Sequence, residues 1–190
     1  MDRGRILALN IWTKFPSKIR RILTVLMFFL ISIAVTIAGV LTPLTTSEAT
    51  EIKEELKQMQ DYVSSADMFR GTTLIFGNNF VLCLSFFIPF IGPLFGFYVL
   101  YGTGVVIAAE SIAEGINPTL TFLLLFIFPF TWLEFLAYSA AFAQSAWLSW
   151  RIIKRNWKRE LVNTCIIISI CAITLLVAAA IEMAIIHAFT

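Results

Sequence analysis

The sequence predicts an all-α membrane protein, a helix bundle that crosses the bilayer about five times. Three observations carry that expectation. Hydrophobic residues make up 59% of the 190 positions and charged residues only 14%, roughly half the charged share of soluble proteins. The apolar residues are gathered into long runs, and eighteen Phe with a mean hydropathy of +0.87 push the same way. Basic and acidic residues, finally, occupy different segments of the chain. A soluble fold of this length cannot hide so much apolar surface, so lipid must cover most of it.

Each crossing can be justified in order. A spanning helix needs about 20 apolar residues, and residues 22–41 supply the first such run without a charge. A basic region precedes it, as in a signal peptide. The run is long, however, and Leu41-Thr42-Pro43 is a poor cleavage site, so a retained span is expected. Residues 72–91 form the second run, interrupted by Asn78 and Asn79, and Pro89, Gly92 and Pro93 then break the helix. Residues 94–109 form the third and end at Glu110. The fourth stretch, 118–150, contains Glu134 and as one straight helix would be about 50 Å long, too long for one hydrocarbon core. Pro129 divides it into a short piece, 118–128, and a main span of about 20 residues. The short piece is either a re-entrant half-helix or the tilted start of one kinked span. Residues 161–181 form the fifth run, with Glu182 and His187 just beyond.

Two segments lie outside these spans. Residues 5–20 mix Trp12, Phe15 and aliphatic residues with basic ones, as an interfacial helix would, although a disordered basic tail has the same composition. In residues 48–64, Ala49, Ile52, Leu56, Met59 and Val63 form one helical stripe, and Thr45 with Glu48 three residues on resembles a capping box. The stripe folds back on its own bundle or serves as a partner surface, on a second subunit for example. The whole chain, 1–190, reads as a single membrane domain.

Charge placement sets the expected orientation. Eleven of the fourteen basic residues lie in two places, Arg3 to Arg21 before the first span and Arg151 to Arg159 between the fourth and fifth. Eight of the twelve acidic residues lie in the other two hydrophilic segments, Glu48 to Asp67 and Glu110 with Glu114. Five crossings put the basic clusters on one side and the acidic segments on the other. The positive-inside rule then makes the N-terminus cytoplasmic and the C-terminus external in a multi-pass protein of the cell membrane. Trp147 and Trp150 fit the inner aromatic belt.

Polar residues at membrane depth are the candidate sites. A carboxyl there costs on the order of 3 kcal/mol on insertion scales, so Glu134 should face the bundle interior. Asn78 and Asn79 lie at a matching depth if the main fourth span begins near Ile127. The three form either interhelical glue or part of an ion, proton or substrate path. Ala137, Ala141 and Ser145, at four-residue spacing, make a small-residue face. Gly92, Gly96, Gly102 and Gly104 should serve close helix approach in the third span.

Other chemistry is poorly supported. The net charge of +2 is too small to suggest nucleic-acid binding. Cys83, Cys165 and Cys171 sit in apolar runs without CxxC spacing, and no phosphate loop, GxSxG or HExxH is present. No enzyme activity, cofactor or metal is expected. A pairing of Glu182 with His187 at the external interface is one option for proton handling. A polar helix end surfacing into water is the other.

From Phe76 onward the pattern resembles the stage II sporulation protein M family, small polytopic membrane proteins of bacteria and archaea. The matching features are Phe76-Gly77-Asn78-Asn79 at a span entry, the Pro/Gly region Pro89 to Gly96, and Gly102 with Gly104. The run Pro129…Glu134…Ala137 resembles the family's Pro-His-Gly…Glu…Ala signature, with Phe130 and Thr131 in place of its His and Gly. The resemblance covers residues 76–148. It implies a membrane anchor for envelope proteins, so any enzymatic work would belong to partners. The expected function is an oligomeric membrane scaffold recruiting cell-envelope proteins through 48–64 or 151–159. The alternative is a small channel or transporter around Glu134, Asn78 and Asn79.

Overall fold

A computed structural model describes residues 16–189. Most of the expected interfacial helix at 5–20 therefore lies outside the described residues. Its last turn is not separate but the start of α1, Ser17–Val40, which has no internal Pro and runs straight into the first apolar stretch. Pro43 prevents its continuation. The Thr45 hydroxyl accepts the Glu48 N–H (3.3 Å), and the Glu48 carboxylate accepts the Thr45 N–H (2.8 Å). This reciprocal cap opens α2, Thr46–Ser64. The Thr45 N–H, and after it the Thr45 hydroxyl, hold the Glu48 carboxyl below its ordinary range. Asp67 caps α3, Met68–Phe86, and is followed by α4, Gly92–Ala113. Then come α5, Pro118–Leu125, α6, Pro129–Ile153, and α7, Lys158–Phe189.

The helices α1, α4 and α7 are long and apolar enough to cross a membrane, which marks the chain as a membrane protein. The pair α5 and α6 makes a fourth span if counted as one, bent by 85° at the break before Pro129. The proline supplies the break because its ring and missing N–H cannot continue α5. α3 has 19 residues and is interrupted by Asn78 and Asn79, and it falls short of the same measure.

The second apolar run does not continue as helix to 91 but ends at Phe86. Residues 87–91 form a tight turn in which Phe90 has a φ of 67°. Two hydrogen bonds pin that turn to α6: Ser145 Oγ donates to Ile88 O (2.7 Å) and the Phe90 N–H donates to Ser149 Oγ (2.8 Å). A Cβ on Gly92 would meet Phe86 O at 2.1 Å, so the chain can double back only on a glycine.

α6 sits at the centre, packed on α7, α1, α3 and α4. Its Phe142 is fully buried and its ring lies 4.9 Å from Phe86, 5.3 Å from Phe97 and 6.0 Å from Phe28. A Cβ on Gly96 would strike the Phe142 ring, so that glycine makes room for it. Ala137, Ala141 and Ser145 are all buried. α1 and α4 cross backbone to backbone: a Cβ on Gly39 would meet Tyr101 O at 2.1 Å, and one on Gly104 would meet Thr36 O at 2.2 Å. Gly102 was expected to join this approach. It has nothing within 4 Å, because two residues along a helix turn it to another face.

The external stripe has an intramolecular partner, for α2 packs on α4. Ala49 is completely buried, Ile52, Leu56 and Val63 are half-buried, and Lys53 pairs with Glu114 at 2.9 Å. That packing covers Ala49 and part of Ile52, Leu56 and Val63; the Met59 side chain lies outside the described residues. Ile22, Leu30, Val81, Leu94 and Ile173 are instead exposed around the bundle. Helix direction gathers Lys18 to Arg21 and Arg151 to Arg159 at one end, where α1 and α7 begin and α6 ends. The acidic segments collect at the other.

Candidate functional site

Two polar clusters lie in this bundle, one toward each end. In the first, Asn79 Nδ2 on α3 donates to Glu134 Oε1 on α6 at 2.6 Å. An amide N–H donating to a carboxyl oxygen at that distance is a short hydrogen bond. The depths inferred from the apolar runs therefore agree. Asn78 does not belong to the pair: its side chain is exposed and reaches only Asn79, at 3.5 Å. Adjacent helical positions differ by about 100°, so one face cannot hold both.

Glu182, expected at the helix end with or without His187, is half-buried on α7, with its carboxyl in electrostatic range of Glu134. His187 is exposed, and five residues along a helix place it on a different face. Tyr138, one turn after Glu134, is buried beside both carboxyls and Cys83. Cys83 and Cys171 are both buried, and Cys171 Sγ donates to Ala137 O at 3.4 Å. Among the described residues no Lys or Arg pairs with Glu134.

The second cluster, at the basic end, is more fully connected. Arg21 on α1 donates through Nη2 to both Glu160 oxygens, at 2.7 and 2.9 Å, and through Nη1 to Gln144 Oε1 at 3.1 Å. Gln144 Nε2 on α6 donates in turn to Glu160 Oε1 (3.0 Å) and to Thr164 Oγ1 (2.9 Å) on α7. Arg151 lies 3.6 Å from Glu160, and the Arg21 guanidinium sits 5.1 Å from the Trp147 ring centroid. Glu160 is only 3% exposed, so its charge is tolerated because it is paired. The network ties α1, α6 and α7 together.

Sequence reasoning missed this second cluster, although it carried signals. Gln144 is an amide inside an apolar span, and Glu160 is the one acidic residue among the basic ones of 151–159 and their flank. Among the described residues, no three His, Cys, Asp or Glu side chains converge as metal ligands. No protein-family model, curated protein or solved structure matches the chain.

Proposed function

We propose that the chain is an integral membrane scaffold of the cell membrane. On this reading it makes five crossings, with α3 as the fifth, keeps its N-terminus in the cytoplasm and its C-terminus outside, and anchors cell-envelope proteins as an oligomer. The observation that supports it is the bonded inner polar pair, for Glu134 is tied to Asn79 within an apolar bundle centred on Phe142. The resemblance to the stage II sporulation protein M family favours the same reading. The basic loop after α6 and the half-exposed part of the α2 stripe are the surfaces offered to partners.

A second reading rests on Glu134 and Glu182. Two carboxyls from adjacent helices with no bonded cation among the described residues are the kind of group that marks proton or ion paths. The two readings part in one experiment. Crosslinked partners are captured from native membranes, while proton and cation flux is followed in liposomes bearing the purified chain or Glu134→Gln. The scaffold reading expects specific captured envelope proteins and no flux above empty liposomes. A flux that Glu134→Gln abolishes would replace it with the transport reading.

A further inference from the structure

Two adjoining cavities at the basic end have complementary chemistry. One, of about 270 Å³, is lined by Arg20, Arg21, Arg151 and Arg159, with Trp147 and Glu160. Four guanidiniums face one carboxylate there. Arg21 and Arg151 share Glu160, whereas Arg20 and Arg159 have no carboxylate partner among the described residues. Arg20 Nε and Trp147 Nε1, in side chains that line the cavity, are buried N–H groups without an acceptor. The guanidiniums of Arg20 and Arg159 are the donors left for a ligand, and a group rich in acceptor oxygens suits them. The volume holds a phosphate with several waters, each water taking about 30 Å³.

The second cavity, of about 170 Å³, shares Arg21 and Trp147 with the first. It then runs between α1, α6 and α7 along Val25, Ala140, Ala143 and Ile167, almost wholly apolar. A polar pocket rich in arginine continues into an apolar groove.

We propose that this end of the bundle is a binding site for an anionic phospholipid. The phosphate sits between Arg20 and Arg159, and one acyl chain lies in the groove between α1, α6 and α7. Arginine suits the phosphate because its planar fork donates two parallel bonds and stays charged. Basic pockets between membrane helices take lipid headgroups by the same physics. The site is independent of the transport reading, and it shares Arg151 and Arg159 with the basic loop that the scaffold reading gives to partners.

The test is native mass spectrometry of the detergent-purified chain titrated with phosphatidylglycerol, phosphatidylcholine or inorganic phosphate. Phosphatidylglycerol should bind in preference to phosphatidylcholine and should weaken as salt rises. Its short-chain form should bind less well than its long-chain form. Arg20→Gln with Arg159→Gln should weaken phosphatidylglycerol about tenfold or more, the scale of lost charged hydrogen bonds, and leave phosphatidylcholine unchanged. Arg159→Gln alone, at an exposed side chain outside the Glu160 network, guards against loss of fold and should give a smaller drop, about threefold. Equal binding of the two lipids, unchanged binding by the variants, or inorganic phosphate binding as well as phosphatidylglycerol would overturn the proposal.

Discussion

The two polar clusters solve the same problem in opposite ways. At the basic end, Glu160 is enclosed by Arg21, Arg151, Gln144 and, at 3.4 Å, the Asn163 amide, so its charge and most of its lone pairs have partners. At the other end, Glu134 has the single Asn79 amide and, in electrostatic range, a second carboxyl, that of Glu182. The first arrangement is a charged staple across α1, α6 and α7. The second keeps two carboxyls in an apolar setting with little to compensate them. A fully bonded buried network rigidifies the elements it joins, whereas an uncompensated one has freedom to change its protonation or its partner. Architecture therefore rests on the basic end. Any chemistry the chain performs itself belongs at the carboxyl end.

That difference can be broken or sharpened by substitution. Glu160→Ala should have the largest effect, because it strands Arg21 and Gln144 without their shared acceptor. Breaking a buried pair costs on the order of 3 kcal/mol, and the loss should show in thermal unfolding in detergent. If Glu160→Ala unfolds no more easily than the parent, the staple is ornamental and the contrast fails. Asn79→Ala should be intermediate, since it removes the one donor to Glu134 and costs about 1–3 kcal/mol. Glu134→Gln should be smallest, within about 1 kcal/mol, because the new amide oxygen still accepts from Asn79. Equal destabilisation by Glu134→Gln and Glu160→Ala would mean that both carboxyls are structural.

Much of the fold was legible because hydrocarbon imposes long apolar runs and water does not. The α2 cap was readable from Thr45 and Glu48, and the break before Pro129 from proline's missing donor. The depth match of Asn79 and Glu134 followed from helix rise alone. What escaped the sequence was rotation about each helix axis. Spacing along the chain grouped Asn78 with Asn79 and Gly102 with Gly104, yet one of each pair faces away from the contact. Glu182 was read as a helix end surfacing into water because its partner is distant in the chain. The Arg21–Gln144–Glu160 network joins residues more than 120 positions apart, and no local pattern announces such a pairing. The α2 stripe was readable as a stripe, but what covers it depended on where α4 lies.

The account as a whole rests on membrane threading with the basic end on the cytoplasmic side. The most direct measurement places single cysteines at Lys154 and Lys53 in a Cys165→Ala background. A membrane-impermeant maleimide is then applied to intact cells and to inverted vesicles. The account predicts that Lys53→Cys labels only from outside and Lys154→Cys only in inverted vesicles. Labelling of both positions from the same side would contradict it.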